Sequence, residues 1–278
     1  MTEDRIDFYD YLRDTKKFPS VWCPGCGMGI FTRALISAID KSGYSRDEVV
    51  LVSGIGCSGR LTAYPDFCTL HTTHGRALTF STGLKLANPK LKIITIMGDG
   101  DSLAIGGNHF IHAARRNMDI TALIVNNSIY GMTGGQVSPG TPQGTITTTT
   151  PYGHLENPFD ICELAKVVGS NFVARSTVYN VHLTEKLIGQ AIKKKGFSVV
   201  EIISQCPVHY GKRTGFKSAV QMLEWQRDNA VMINKETGQN DLPPGKFPIG
   251  VMVDREAKGY IERLEEFNNK QREKANAL

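Results

Sequence analysis

The chain has 278 residues, of which 41% are hydrophobic and 21% are charged. This ordinary globular composition excludes a disordered, collagen-like or disulfide-dense protein. The net charge of +5 is small and spread along the chain, so we expect no nucleic-acid partner. The sequence has no apolar run long enough to span a membrane and no secretion signal at its start, so we expect a cytoplasmic protein without membrane association.

Apolar, β-rich runs bounded by turn residues alternate with segments in which apolar residues recur at helical spacing. The runs predict buried strands at 49–53, 91–97, 120–125 and 198–203. The helical spacing predicts helices at 30–39, 76–87, 105–116, 158–168 and 181–195. This alternation predicts an α/β fold, in which helices cover both faces of a mostly parallel sheet.

Two stretches of the sequence interrupt this alternation. Residues 133–154 are rich in glycine, proline and threonine, and they predict a long loop of the kind that is usually functional. After Gly211 we predict a helical segment, a Pro/Gly-rich passage around 240–250 and a charged helix at about 254–277. We therefore predict a domain at 1–212 and a C-terminal extension at 213–278 that packs on this domain or on a partner. A solvated charged helix is the alternative for its end.

Acidic and amide side chains follow two successive predicted strands. Gly98-Asp99-Gly100-Asp101 ends one strand, and Asn126-Asn127 ends the next. Open parallel sheets bind ligands at the carboxyl ends of their strands. Asp99, the Asn127 amide and a nearby backbone carbonyl offer the hard oxygen ligands that suit Mg²⁺ bound to a diphosphate. An ordinary turn is the alternative for an isolated Gly-Asp-Gly.

Four of the six cysteines are candidates for a metal centre. Cys23 and Cys26 form a Cys-x-x-Cys loop, and Cys57 and Cys206 lie in turns that follow the first and last predicted strands. In a reducing compartment this pattern indicates metal ligation rather than disulfides. Spacing alone leaves both zinc and an iron–sulfur cluster open, but a chain with ample core does not need zinc to fold, which favours the cluster.

Other patterns are interpreted as structural. We assign Cys68 and Cys162 to packing, because free cysteine is commonly a small buried hydrophobic residue. A dinucleotide loop is not expected at 54–59, because Cys57 lies inside it and Pro65 prevents a long helix from starting there.

Five sequence blocks in this order resemble the β subunits of 2-oxoacid:ferredoxin oxidoreductases, and they are most similar to those of the 2-oxoglutarate type. The similarity extends from about residue 15 to residue 212. The blocks are Cys23-Pro24-Gly25-Cys26-Gly27, Gly54-Ile55-Gly56-Cys57-Ser58, His71-Thr72-Thr73-His74-Gly75-Arg76-Ala77, Gly98-Asp99-Gly100-Asp101 and Asn126-Asn127-x-x-Tyr130-Gly131-Met132-Thr133-Gly134-Gly135-Gln136.

This resemblance implies a thiamine-diphosphate-binding fold that holds the diphosphate half of the cofactor. It implies that Mg²⁺ is held by Asp99, Asn127 and the backbone carbonyl of Ile129. It also implies that His74 and Arg76 are catalytic candidates. The four cysteines implied to hold one [4Fe–4S] cluster are Cys23, Cys26, Cys57 and Cys206. The further cofactor contacts that we expect are Gly56, Cys57, Ser58, Gly98, Gly100, Asp101, Gly131, Met132 and Thr133.

The implied reaction is the coenzyme A-dependent oxidative decarboxylation of a 2-oxoacid to acyl-CoA, CO₂ and reduced ferredoxin, or its reverse. For 2-oxoglutarate the product is succinyl-CoA. The resemblance also implies an α subunit that carries the pyrimidine-binding half-site, in an αβ or (αβ)₂ assembly. Pyruvate remains an alternative substrate, since Gly134 replaces a lysine found in some relatives. Two further functions stay open at this point, a thiamine-dependent decarboxylase without a cluster and a non-catalytic, zinc-stapled α/β binding protein.

Overall fold

The computed structural model describes residues 7–16, 19–233, 242–243 and 245–277, which form one eight-stranded sheet with helices packed on it. The strands are β1 (Val49–Ser53), β2 (Cys68–His71), β3 (Lys92–Gly98), β4 (Thr121–Asn126), β5 (Phe172–Thr177), β6 (Ser198–Ile203), β7 (Ala230–Met232) and β8 (Phe247–Asp254). The helices are α1 (Met28–Asp40), α2 (Ala77–Ala87), α3 (Asp99–Leu103), α4 (Gly107–Arg116), α5 (Ile161–Val167), α6 (Val181–Lys193), α7 (Ala219–Asn229) and α8 (Tyr260–Asn276).

The sheet has the order β2-β1-β3-β4-β6-β5-β8-β7. The six strands from β2 to β5 are parallel, β8 is antiparallel to β5, and β7 is parallel to β8. The carboxyl ends of β1, β3, β4 and β6 therefore meet at one edge of the sheet. The predicted mostly parallel α/β sheet is confirmed.

Separate apolar layers cover the two faces of the sheet. On one face, Phe31 and Leu35 of α1 pack with Leu187 of α6 against the strands. On the other, Phe110 of α4 packs edge-to-face against Phe197, with their ring centroids 5.9 Å apart. Full burial of each such side chain stabilises the fold by about 1.5–3 kcal/mol. Strands buried on both faces have near-continuous apolar sequences, which explains why β1, β3, β4 and β6 could be predicted.

Two strands of the parallel sheet were not predicted. Strand β2 has only four residues at the edge of the sheet, and its pattern is too polar and too short to indicate a strand. Strand β5 reads Phe-Val-Ala-Arg-Ser-Thr, and all six residues are buried although half of them are polar. Sequence periodicity missed β5 because three of its six residues are polar, and their burial depends on hydrogen bonds and ion pairs that a hydrophobic pattern does not reveal.

The prediction for the end of the chain was wrong in part. Strand β8 occupies the end of the predicted Pro/Gly-rich passage, where Pro248 and Gly250 obscure its pattern, and it pairs with β5. The charged helix begins at Tyr260 rather than at about residue 254. Residues 240, 241 and 244 of the predicted passage lie outside the described residues. A domain boundary at residue 212 remains a prediction.

The predicted long loop is confirmed, since no helix or strand lies between Asn126 and Ile161. Backbone hydrogen bonds nevertheless order it: Gly144 N donates to His154 O at 2.7 Å, and His154 N donates to Thr145 O at 2.9 Å. Elsewhere, none of the described helices combines the length and the apolar character that crossing a membrane requires.

Candidate functional site

The two predicted oxygen ligands lie side by side at the edge of the sheet. Residue Gly98 of β3 pairs in register with Val125 of β4, so the turns after both strands begin next to each other. Asp99 is the first residue of α3 and is 2% exposed. Asn127 directly follows β4 and lines the same cavity as Asp99.

The Asp99 carboxylate is buried without a cationic partner among the described residues. Its Oδ2 accepts a hydrogen bond from the hydroxyl of Ser138, a residue of the long loop. Burial raises the pKa of Asp99 to about 6, and the negative charge of Glu201 contributes to this rise. A buried carboxylate is costly unless a positive charge compensates it, so this position suits a bound divalent cation.

The turn after β4 has an uncommon backbone conformation. Ser128 has a φ of 60°, in the left-handed region that residues other than glycine rarely adopt. Two local hydrogen bonds hold it: Ser128 N donates to Asn126 Oδ1 at 3.0 Å, and Ile129 N donates to Asn127 Oδ1 at 3.3 Å. The turn thereby places Asn127 and Ile129 in the lining of the same cavity as Asp99.

The residues of the predicted cofactor site share one cavity of about 200 Å³. Every predicted diphosphate-site residue lines it, together with His74. These lining residues are Gly56, Cys57, Ser58, His74, Gly98, Asp99, Gly100, Asp101, Asn127, Ile129, Gly131, Met132 and Thr133. Sequence reasoning did not single out four further lining residues, Met28, Ile55, Val125 and Tyr130.

The two catalytic candidates differ in their placement. His74 lines the cavity, with its Nδ1 atom 2.7 Å from Asp101 Oδ1. Burial raises the pKa of Asp101, although hydrogen bonding from Gly75 N at 2.6 Å opposes that rise. Arg76 is exposed, contacts His109 and is absent from the described cavity lining. Of these two candidates, the structure therefore brings only His74 to the predicted cofactor site.

Two contacts of the site could not be read from motif spacing. The Tyr130 hydroxyl donates to Gly100 O at 3.3 Å, and Ser138 reaches Asp99 across 39 residues of sequence. Tyr130 belongs to a recognisable block, which was a usable signal. Ser138 lies in an irregular loop whose path only the folded chain defines.

The loops that carry the four predicted metal-ligating cysteines are joined to one another. Trp22 Nε1 donates to the carbonyl of Cys57 at 2.8 Å, and Gln205 Nε2 donates to the carbonyl of Gly25 at 2.9 Å. A β-carbon on Gly131 would lie 3.4 Å from Cys206 Sγ and 3.7 Å from Cys57 Sγ. Since Gly131 and Cys57 also line the cavity, the cysteine cluster adjoins the cofactor site.

The surroundings of these thiols disfavour the charged thiolate form. Burial raises the pKa of Cys26 to about 12 and that of Cys57 to about 11. The neighbouring cysteines, Cys206 and Cys23 among them, raise both values further. A group of thiols that destabilise one another's charged forms is stabilised when a metal centre binds them as thiolates.

The two remaining cysteines have different surroundings. Cys162 is buried, as expected, and its Sγ lies 3.3 Å from Glu201 Oε2. Cys68 is exposed on the edge strand β2, so its assignment as a buried packing residue was wrong. The edge position explains the exposure, because no further strand covers β2 among the described residues.

Comparisons with known proteins agree with this geometry. The chain has an α/β sheet with oxygen-bearing side chains at adjacent strand ends, and residues 54–202 match the family described as thiamine pyrophosphate enzyme, C-terminal TPP binding domain, which places this part of the chain among thiamine-diphosphate-binding domains. The 2-oxoglutarate synthase subunit KorB of Archaeoglobus fulgidus is 56% identical over 205 residues, which cover 74% of this chain and 76% of the relative. That of Methanocaldococcus jannaschii is 42% identical over 256 residues, which cover 91% and 94% of the two chains.

A solved structure extends the similarity to the whole fold. The 2-oxoglutarate:ferredoxin oxidoreductase from Magnetococcus marinus, solved with 2-oxoglutarate, coenzyme A and succinyl-CoA bound, has a TM-score of 0.86 at 31% identity. The match covers 96% of this chain and 91% of that chain. The chain belongs to the family of β subunits of 2-oxoacid:ferredoxin oxidoreductases, and it is therefore a subunit of an oxidoreductase.

Proposed function

We propose that this chain is the β subunit of a 2-oxoglutarate:ferredoxin oxidoreductase. The complete enzyme converts 2-oxoglutarate and coenzyme A to succinyl-CoA and CO₂ and reduces ferredoxin, or runs the reverse carboxylation. When bound, thiamine diphosphate supplies the carbon chemistry and an iron–sulfur cluster accepts the electrons. One observation carries this proposal: Asp99, Asn127 and Ile129 line the same cavity as Cys57.

This chain binds the diphosphate half of the cofactor through Mg²⁺ in our proposal. Asp99 contributes a carboxylate, Asn127 an amide oxygen and Ile129 a backbone carbonyl, which are the oxygen donors that Mg²⁺ prefers. The buried Asp99 charge, for which no described side chain supplies a compensating cation, supports this assignment. Gly98 and Gly100 line the same cavity and leave room for phosphate oxygens to approach the backbone.

The four cysteines fit a [4Fe–4S] cluster better than a single zinc ion. Tetrahedral zinc with Zn–S bonds of about 2.3 Å requires sulfur atoms about 3.8 Å apart. Among the described residues, only Asp160, Cys162 and Glu201 form a group of three potential metal ligands. Their ligand atoms lie within 4.8 Å of one another. The four cysteines form no such group, and a wider spacing suits a cluster that is held at its corners.

The cavity also indicates that a partner completes the substrate site. No lysine or arginine stands among the described residues that line it, and His74 is its one basic side chain. A dicarboxylate such as 2-oxoglutarate needs cationic groups, since a buried carboxylate without a partner costs several kcal/mol. Lys212 and Arg213 are exposed and do not line this cavity. We therefore assign the substrate anchors to the α subunit, in a cytoplasmic αβ or (αβ)₂ enzyme.

The decisive test is the activity of the enzyme reconstituted with its α subunit under anaerobic conditions. We expect coenzyme A-dependent reduction of ferredoxin or a viologen dye, with kcat/KM higher for 2-oxoglutarate than for pyruvate. Because the names of similar proteins contain 2-oxoglutarate, we expect 2-oxoglutarate rather than pyruvate to be the preferred substrate. A preference for pyruvate would refute the substrate, whereas turnover without reduction of the dye would refute the redox function.

A further inference from the structure

A charged cluster of Arg175, Glu201 and Asp160 lies where β5 and β6 run side by side, and only Asp160 is exposed. Arg175 of β5 and Glu201 of β6 are paired in register and are 5% and 2% exposed. Arg175 Nε donates to Glu201 Oε2 at 2.6 Å, and Arg175 Nη2 donates to Asp160 Oδ1 at 2.7 Å. Burial of an ion pair carries a large desolvation cost before pairing, and apolar residues of similar volume often stabilise a fold as well. Packing alone therefore does not account for these two residues.

The cluster is connected to the turn that carries the proposed magnesium ligands. Glu201 Oε1 accepts a hydrogen bond from Asn126 Nδ2 at 2.8 Å. The other end of the same amide, Asn126 Oδ1, accepts the N–H of Ser128 at 3.0 Å. If the amide were reversed, its NH₂ group would face the N–H of Ser128, so the Glu201 carboxylate fixes its orientation.

This orientation determines the backbone between Asn127 and Ile129. Ser128 lies between them with its φ of 60°, a left-handed conformation that is unfavourable for a residue with a β-carbon. Two contacts hold Ser128 in place: its N–H donates to Asn126, and its carbonyl accepts the Thr141 hydroxyl at 2.7 Å. Loss of the first contact removes one of the two local hydrogen bonds that hold the turn and leaves only that of Ile129 N to Asn127 Oδ1.

The same network reaches the other proposed ligand. The Thr141 hydroxyl lies 3.1 Å from the Ser138 hydroxyl, which donates to the Asp99 carboxylate. A chain of polar contacts thus runs from Glu201 through Asn126, Ser128, Thr141 and Ser138 to Asp99.

A metal ion bound by Asp160, Cys162 and Glu201 is the competing explanation, since their ligand atoms lie within 4.8 Å of one another. Arg175 argues against it, because its guanidinium already pairs with both carboxylates. A metal ion would have to displace a cation that is itself buried.

We infer that Glu201 is a positioning residue for the magnesium and thiamine diphosphate site. Anchored by Arg175, it orients Asn126, and Asn126 holds the turn that presents Asn127 and Ile129 to the metal. This inference rests on the proposed function, because it requires the magnesium site at Asp99 and Asn127. Groups that orient metal ligands from outside typically contribute about 10–100-fold to metal affinity.

The test measures the dissociation constant of Mg²⁺ in the assembled αβ complex, by titrating Mg²⁺ into the stripped complex at saturating thiamine diphosphate. We expect Glu201→Gln and Asn126→Ser each to weaken Mg²⁺ binding by about 10–100-fold. Asn126→Ser changes no charge and keeps an oxygen that can accept the Ser128 N–H, so its effect isolates the contact with Glu201. At saturating Mg²⁺, kcat should change much less than the dissociation constant.

The double variant Asn126→Asp with Glu201→Gln exchanges donor and acceptor and preserves the net charge. The glutamine NH₂ then donates to the aspartate, and its carbonyl still accepts from Arg175, so we expect Mg²⁺ affinity within a few-fold of wild type. Thr121→Val is the matched control. It removes a buried hydrogen bond to Ala191 O, 3.1 Å long, at the opposite end of β4, and should leave Mg²⁺ affinity unchanged.

Wild-type Mg²⁺ affinity in Asn126→Ser would overturn the inference, even if Glu201→Gln bound Mg²⁺ weakly, because charge alone would then explain the glutamine variant. A double variant that binds no tighter than Glu201→Gln would overturn it as well. If Glu201→Gln fails to assemble, Asn126→Ser decides alone, since it leaves the Arg175 pair intact. Unchanged affinity in Asp99→Ala would instead refute the magnesium site of the proposed function.

Discussion

Tyr130 packs directly against Gly100, so that a β-carbon at position 100 would lie 2.1 Å from Cε1 of the tyrosine ring. The Tyr130 hydroxyl also donates to the Gly100 carbonyl at 3.3 Å, and both residues line the proposed cofactor cavity. Glycine at this position is therefore required by the close approach of an aromatic ring. Its backbone does not have a positive φ, so strain is not the reason.

We expect Gly100→Ala to displace Tyr130 and to weaken retention of thiamine diphosphate. Overpacking of this kind typically costs about 1–3 kcal/mol, and where this strain falls on the cofactor-bound state it lowers the affinity by about 5–150-fold. The measurement is the thiamine content of the αβ complex after gel filtration, together with a titration of the cofactor.

Gly83→Ala on α2 is the matched control for this substitution. A β-carbon there meets no atom within 4 Å, and alanine stabilises a helix interior by about 0.5–1 kcal/mol relative to glycine. Its cofactor content should equal that of the wild type. Equal thiamine content in both variants would contradict the role assigned to Gly100.

The contact between Tyr130 and Gly100 also illustrates what the sequence could predict. Asp99 and Asn127 could be placed together because each follows an apolar run, and apolar runs of this type identify strands buried on both faces. Strand β5 was missed because Arg175 interrupts its apolar pattern, and the partner that makes this arginine tolerable, Glu201, is 26 residues away in sequence. Contacts that depend on distant loops, such as that of Ser138 with Asp99, have no local pattern to reveal them.

Asp99→Ala should abolish retention of thiamine diphosphate in the assembled complex. The substitution removes the one carboxylate among the proposed magnesium ligands. We therefore expect Mg²⁺ affinity to fall by more than about 100-fold, which exceeds the loss expected when a residue that only orients a ligand is removed. The fold should remain intact, because removal of a buried carboxylate that lacks a cation relieves a desolvation cost. Circular dichroism and thiamine analysis measure the two effects separately, and unchanged thiamine retention would refute the assignment.

Each of Cys23, Cys26, Cys57 and Cys206 should be required for a content of about four iron atoms per chain. Replacement by alanine removes one corner of the proposed cluster, and we expect the iron content and the visible absorption of the anaerobically purified complex to fall sharply. The thiols of Cys26 and Cys57 are half-buried and have raised pKa values, so they are held as thiolates only while metal is bound.

Cys68→Ala and Cys162→Ala are the controls for the cluster. Cys68 is exposed on β2, and Cys162 is buried against Glu201, so neither is placed among the four proposed ligands. Both variants should keep the full iron content. Loss of iron in Cys162→Ala with retention in Cys206→Ala would show that the set of ligands is wrong.

The chain should be inactive without its α subunit, because its cavity contains only part of what the reaction needs. The described lining offers oxygen ligands for Mg²⁺ but no lysine or arginine for the two carboxylates of 2-oxoglutarate. In our proposal, the sheet of this chain holds only the diphosphate half of the thiamine site, and the α subunit carries the other half. The purified chain should therefore show no coenzyme A-dependent reduction of viologen, and stoichiometric α subunit should restore the activity.

The iron content of the isolated chain serves as the control, because an intact cluster excludes loss of the metal centre as the cause of inactivity. Turnover by a demonstrably pure single chain would mean that the substrate anchors lie within this subunit.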